Sequence, residues 1–561
     1  MHDNFSSTQI TRKTVLQSAD GIVASQHRKA AQAGAAILAA GGDAVDAAVA
    51  TSFAAGVVEP WMSGPMGGGA MVIYRADTRR AQVVHFEMRS PAALDPKTYP
   101  LAGDGSLSAD LFPWPAVLDD RNCRGATAVA VPGTVAGMAA AHQAYGKLPW
   151  RDNLQGAIAL AEEGPLLDWY ATLMIAGSAR WLARDPAAAA MFLDDGLWPK
   201  SSGWTATAAK HLDFHRAAQT LRQLAEEGAQ ALYGGDIGRA LAADVQAQGG
   251  SLALADLQNY EAQWLDALAI PYRSGTVYAT PQMTSGPNLA RCLGRLESLL
   301  HPQGRPASAA FESYAQVLLD EYQWRFQHMG DNEDPRTPGC TTHFSVVDRQ
   351  GNMCAVTQTL LSAFGSHVVA LSAGMLLNNG IMWFDPEPGK PNSLAPNKRC
   401  LMNICPVIGQ QADRVFALGA SGGRKILPAV LQLTSFLMDY GMSLEEAFHH
   451  PRIDASTDTL IIDPALGELT VAALGGRFPH ALARRGVYPF AFACPSGVLR
   501  DTQGNEGCTE IMAPWGDAAL AENHGRRPDL TACAHEKRLN RQYRFRRFYL
   551  AAADAIPPAA R

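Results

Sequence analysis

"TTHFSVVDRQGNMCAVTQT", Thr341 to Thr359, holds two short β-type runs around the turn-forming centre Asp348–Asn352. Runs rich in Val, Phe and Thr that flank Asp, Gly and Asn predict a β-hairpin. With the turn centred on Gln350, Thr341 faces Thr359 and His343 faces Thr357, all on one face by the two-residue period. A slip of one residue would change these partners. The preceding residue is Cys340, so the strand opens on a Cys-Thr-Thr-His step. That step reads in two ways. One is a plain strand entry, the commoner case for such spacing, with His343 either an exposed strand histidine or a base. The other makes Thr341 an N-terminus. An internal threonine is a weak nucleophile, whereas one with a free α-amine carries its own general base. Its hydroxyl would first attack the Cys340 carbonyl. An N-to-O acyl shift and hydrolysis would then release residues 1–340 from 341–561. Cys340 is a rival nucleophile, but no His/Asn pair is placed to activate it.

Upstream, "GDNEDPRTPGC" (Gly330–Cys340) is polar and turn-prone, and reads as an exposed linker. The part before it is helix-rich. An Ala-rich helix leads to Gly41-Gly42, and a second starts at the N-cap Asp43 and runs to Val58. Strands are expected at Ala70–Tyr74 and within "AQVVHFEMRSPAAL". Residues from about Arg151 to Gly330 read as mainly helical, including "ALADLQNYEAQW" (Ala253–Trp264). Downstream the chain is strand-rich, with "HVVAL" (His367–Leu371) and "RVFALGASGG" (Arg414–Gly423). A helix follows, then another capped by Ser443 with Glu446 in the capping-box position. The expected division is a large unit, 1–340, and a small unit, 341–561. Residues from about 534 to 561 form a basic, aromatic extension, read as solvated or packed at an interface.

The 561 residues are 47 % apolar and 18 % charged, with a net charge of −6, the balance of a soluble globular protein. The negative charge argues against a general nucleic-acid binder. Apolar runs fall short of the roughly eighteen residues a spanning helix needs, so no membrane span is expected. The polar start, "MHDNFSSTQITRKTVLQSADG", lacks the apolar core of a secretory signal; taken as the native start, it suggests the cytoplasm. Nine scattered cysteines do not suggest a disulfide framework, and no ligand spacing suggests a metal. "GASGGRK" lacks the spacing of a phosphate loop, and "PMGGGAM" lacks the dinucleotide fingerprint, so no cofactor is expected.

These segments together resemble the γ-glutamyltransferases of the N-terminal-nucleophile (Ntn) hydrolase superfamily. The resemblance rests on "GGDAVDAAVATSFAAGVVEPWMSGPMGGGAMVIY", "VPGTVAGMAAAHQAYGKLPW", "TTHFSVVDRQGNMCAVTQTLLSAFGS", "GMLLNN", "APNKR", "GASGG" and "YGMSLEEAFHHPRID", in family order from about Gly21 to Cys533. It implies an α/β (α+β) four-layer αββα sandwich made by a precursor that cleaves itself between Cys340 and Thr341. It further implies that Thr341 is the nucleophile, that Thr359 supports it, and that the backbone amides of Gly422 and Gly423 form the oxyanion hole. Paired amides aimed at a tetrahedral oxyanion are among the larger catalytic contributions.

The γ-glutamyl-binding positions depart from the family. Where the resemblance implies Asn, Gln and Asp around the substrate's α-ammonium, this sequence has Leu361, Gly380 and Trp383. Met402 and Asn403 replace a carboxylate-binding serine pair. Glu87 stands where a carboxylate-binding arginine is usual, and Arg89 lies two residues further on. A buried ammonium without acceptors is costly, so the acyl group is expected to lack one. If Arg89 points inward it can hold a carboxylate; if not, the acyl group is apolar, and a structural role for Arg89 is equally open. The expectation is a self-processing amidohydrolase or acyltransferase with a small-molecule amide substrate and water or an amine as acceptor. The two fragments of one precursor would stay together, and a homo-oligomer of processed heterodimers is left open. The alternatives are an oxamate-type or dicarboxylic-monoamide amidohydrolase, an acylase, or an unprocessed binding protein.

Overall fold

The computed structural model describes residues 11–108, 114–203, 208–329, 340–488 and 490–522. Gly330–Gly339 of the expected linker and the C-terminal extension lie outside these residues. Two seven-stranded antiparallel sheets dominate. In chain order their strands are β1 (Leu16–Ser18), β2 (Ile22–Ser25), β3 (Gly68–Arg75), β4 (Arg80–Phe86), β5 (Gln263–Asp266), β6 (Leu268–Tyr272) and β7 (Gly275–Ala279). Then come β8 (Cys340–Val347), β9 (Met353–Leu361), β10 (Val407–Gln411), β11 (Arg414–Ser421), β12 (Cys494–Asp501), β13 (Gly504–Thr509) and β14 (Asp517–Leu520). The first sheet runs β14-β2-β8-β9-β3-β4-β5, and the second β1-β13-β12-β11-β10-β7-β6.

The hairpin β8–β9 lies at the centre of the first sheet, which explains why both its faces are buried. Phe344 and Val346, with Cys354 and Val356, face helices α1 (Arg28–Ala39) and α2 (Ala44–Val58). Val347, Met353 and Ala355 face Ile408, Ala417 and Val498 of the second sheet. The outer face of that sheet is covered by α3 (Gly286–Leu299), α4 (Ser308–Met329) and α5 (Ile426–Met438). The result is the four-layer αββα sandwich expected from the sequence. The N-cap of α2 is Asp43, whose Oδ1 accepts from the backbone N–H groups of Val45 and Asp46 in a capping box. The helix is apolar all round because it is buried almost all round. Ser443 and Glu446 form the capping box read from the sequence.

Two expectations change. "ALADLQNYEAQW" is helical only over Leu254–Gln258; Gln263–Asp266 instead pairs with β4 as the edge strand β5. Tertiary pairing overrides a weak helical preference there. "HVVAL" contributes only the two-residue strand Val369–Ala370. Both sheets combine strands from before and after residue 341.

The register of the hairpin is as read from the sequence between Thr342↔Gln358 and Val347↔Met353. At the strand head it is not. A register shift separates Thr342 from Cys340, which pairs with Leu361, so Thr341 lies opposite a bulge in β9 formed by Thr359 and Leu360. The two sheets meet closely near this point. A Cβ on Gly419 of β11 would lie 2.5 Å from the His343 ring. Gly419→Ala is therefore expected to cost about 1–3 kcal/mol through overpacking. Gly294, exposed in α3 with open space around its missing Cβ, should behave oppositely: Gly294→Ala should gain about 0.5–1 kcal/mol through helix propensity. Thermal denaturation of the two variants should move Tm in opposite directions.

Candidate active site

Thr341 lies at the end of a buried hairpin, opposite the β9 bulge at Thr359 and Leu360, where an extra residue re-aims a side chain. Thr341 is 5 % exposed and Thr359 1 %. Thr359 Oγ1 accepts a hydrogen bond from Leu361 N at 2.8 Å, which orients that hydroxyl. Leu361 adopts φ +89°, a left-handed conformation that a bulky residue seldom takes outside strained sites. His343 is fully buried between the sheets, so the exposed-histidine reading is overturned. Its Nδ1 bonds Thr357 Oγ1 at 2.8 Å and its Nε2 bonds Ser345 Oγ at 3.0 Å. Burial pushes its pKa down to about 3, so the ring is neutral and both nitrogens are engaged.

Gly419, which faces His343, leads along β11 to Ser421 and then to Gly422 and Gly423. Those glycines take φ of +130° and +60°. Only glycine adopts such values freely, and here they turn the chain from β11 into α5. The pair therefore stands at a helix N-terminus, where backbone N–H groups lack intrahelical acceptors. Ser421 pairs with Cys494 across the sheet, and Gln26 Nε2 donates to both Ser421 Oγ and the Cys494 carbonyl. The glycine turn and the hairpin head thus share one end of the sandwich.

Glu59, which the sequence reading did not single out, lies at the same end. It is the C-cap residue of α2 and is 4 % exposed. Its Oε2 is 3.4 Å from Thr342 Oγ1. Burial pushes its pKa up to about 8, partly opposed by that hydroxyl. A hint was present in the sequence: Glu59 is a lone acid in the apolar run "AAGVVEPW". Beside it, Gln358, the cross-strand partner of Thr342, is held by Ser52 and Ser63.

The substrate positions named from the resemblance fall mostly into one apolar cluster. Leu361, Trp383 and Met402 pack with Met88, Ala130, Ile381 and Cys400. Gly380 borders it, since a Cβ there would lie 2.7 Å from Ala130 Cβ and 3.1 Å from Met88 Sδ. The members of this cluster carry no charge. Asn403 turns elsewhere: its Oδ1 accepts from the buried Arg325 at 2.9 Å.

Two charged positions are engaged in structure. Arg89 donates to the carbonyls of Asn259 and Asp256 at 3.3 and 3.2 Å, and its guanidinium lies 5.8 Å from the Tyr260 ring. Glu87 is 1 % exposed, with His85 Nδ1 at 2.8 Å and Arg399 at 3.1 Å. These neighbours hold its pKa below the usual carboxylate value against strong desolvation. Among the described residues, no His, Cys, Asp and Glu cluster could hold a metal, and no helix is long and apolar enough to cross a membrane.

The family model for gamma-glutamyltranspeptidase matches residues 30–338 and 308–513. The chain is 33 % identical over 521 residues to the acylase ACY 1 proenzyme of Pseudomonas sp. (strain V22), covering 85 % of this chain and 91 % of that one. It is 31 % identical over 494 residues to the glutathione hydrolase proenzyme of Bacillus subtilis (strain 168), covering 77 % and 80 %. Among solved structures, a cephalosporin acylase from Bacillus halodurans shares the fold with a TM-score of 0.76, over 93 % of this chain and 100 % of that one, at 23 % identity. With the sandwich, the family model and these relatives in agreement, the chain belongs to the γ-glutamyltranspeptidase family of Ntn hydrolases and is an amidohydrolase/acyltransferase enzyme.

Proposed function

We propose that this enzyme is an acylase that cleaves itself between Cys340 and Thr341 and acts on amides whose acyl group lacks an α-ammonium. Thr341 Oγ1 attacks the substrate carbonyl, and its own α-amine takes the proton and passes it to the leaving amine. Thr359 supports the nucleophile. The amides of Gly422 and Gly423 receive the oxyanion. The acyl group then passes to water or to an amine, two outcomes of one acyl-enzyme.

The observation that carries the substrate reading is the apolar cluster of Leu361, Trp383 and Met402, with Gly380 at its border. An ammonium placed there would lose water without gaining an acceptor. Glu87 is nearby in sequence but already committed to His85 and Arg399. The contacts of Arg89 with Asn259 and Asp256 favour an apolar acyl group over one with a terminal carboxylate. The identities to ACY 1 and to the glutathione hydrolase are too close to choose between them, and the apolar cluster is what supports the acylase reading.

On a denaturing gel the wild-type chain should give two fragments, and Thr341→Ala should stay whole; a wild type that stays whole removes the mechanism. A panel of anilides with aliphatic, γ-glutamyl, glutaryl and oxamoyl acyl groups tests the pocket. We expect kcat/KM for the best aliphatic acyl group to exceed that for γ-glutamyl by about 30–100-fold, the equivalent of roughly 2–3 kcal/mol for an unpartnered ammonium. Preference for γ-glutamyl would refute the reading. Trp383→Asp should narrow the ratio by about tenfold by restoring an acceptor.

A further inference from the structure

Two glycines in a row give the turn at Gly422 and Gly423 its shape and also a weakness. The peptide between them has no Cβ on either side, so little steric resistance stops it from turning over. A trans peptide is planar, and its C=O and N–H point in opposite directions. The Gly423 N–H is therefore aimed only while the Gly422 carbonyl is held the other way. That carbonyl accepts from the Lys425 backbone N–H at 3.2 Å. The Gly422 N–H belongs in the same way to the peptide of Ser421, whose side chain accepts from Gln26.

Lys425 is the N-cap residue of α5. A cation at a helix N-terminus is disfavoured by the dipole, so starting the helix does not account for it. Nor does it serve a phosphate loop, whose spacing "GASGGRK" lacks. Its Nζ donates instead to the carbonyls of Phe490 and Ala491, both at 3.0 Å. Gln26, 6 % exposed, makes a matching pair of bonds: its Nε2 donates to Ser421 Oγ at 2.5 Å and to the Cys494 carbonyl at 2.7 Å. Both side chains thus join the glycine turn to residues 490–494. Between the two anchors that segment backs directly onto Gly422, where a Cβ would lie 3.1 Å from Ala493 Cα. Gln26 also follows β2, the strand that pairs with β8, so its amide links the sheet of the hairpin to the turn.

We propose that Lys425 and Gln26 are positioning residues for the oxyanion site, which hold residues 490–494 against the turn and so keep the Gly422 and Gly423 amides aimed at the substrate carbonyl. Neither side chain touches the substrate; each acts through the backbone. The charge those amides receive develops only in the transition state, so a loosened turn lowers kcat and leaves KM alone. The Lys425 ammonium also acts on the buried Asp454, whose pKa burial raises and this charge lowers. Loss of the ammonium therefore carries a second effect, on stability, that loss of the Gln26 amide does not share. For that reason the two side chains are tested together.

This inference rests on the reading of Gly422 and Gly423 as oxyanion donors, and the experiment separates the two. The full chain is made by cell-free translation, and turnover of the fastest anilide of the panel is expressed per mole of cleaved 341–561 fragment. Lys425→Met and Gln26→Met should each lower kcat about 10–100-fold, with KM within about twofold of wild type. Lys425→Arg, which keeps donors for both carbonyls, should recover most of that loss. Glycolic acid in place of Gly423 turns the peptide between residues 422 and 423 into an ester and removes its N–H; kcat should fall about 100-fold. In that ester background either methionine variant should lower kcat by a further factor of about three at most, because the amide it serves is gone. Wild-type kcat in both methionine variants overturns the proposal. So does a loss that persists in full in the ester background, or one accompanied by an equal rise in KM. If Lys425→Met stays uncut, Gln26→Met carries the test; if both stay uncut, a role in turnover is overturned. Wild-type kcat in the ester variant instead overturns the oxyanion reading itself, whatever the methionine variants do.

Discussion

The close approach of the His343 imidazole to the bare backbone of Gly419 governs one end of the sandwich. It sets how near β8 comes to β11, and so how near the hairpin head lies to the glycine turn. His343 is held from both sides, by Thr357 and Ser345, and its own carbonyl accepts from Ser496 of the opposite sheet. These contacts are buried and satisfied, which makes a polar network rigidify its surroundings. Catalytic groups need such fixed support, since small misplacements cost much rate. The buried histidine is thus better understood as a spacer between sheets than as a base.

Much of this was legible in the residues. The hairpin register followed from a two-residue alternation and a turn centred near Gln350, because both are local properties. The caps at Asp43 and Ser443 were legible for the same reason. The bulge opposite Thr341 was not, because it depends on Leu361 pairing with Cys340, beyond the reach of the alternation. The strand Gln263–Asp266 was hidden because its partner, β4, lies far away in sequence. Glu59 stood out only as a lone acid in an apolar run, and its burial became visible only once α2 was found between other elements.

The surroundings of Glu87 show how a buried acid is accommodated beside an apolar cluster. A carboxylate at position 87 would be intolerable beside an apolar cluster if it were alone. His85 and Arg399 neutralise it, while Arg399 also lies against Tyr260, whose hydroxyl donates to the Glu87 carbonyl. The buried acid is thereby balanced by its neighbours, and Arg89 close by is tied to the backbone.

The interleaving of strands from before and after residue 341 has a thermodynamic consequence. Each sheet is completed by both parts of the chain, so neither part carries a whole sheet or a closed core of its own. While the chain is continuous, folding is unimolecular. Once it is cut, unfolding releases two molecules, and regaining the sandwich becomes a second-order encounter that dilution slows. Persistence of the cut protein would then be set by the height of its unfolding barrier rather than by an equilibrium it revisits.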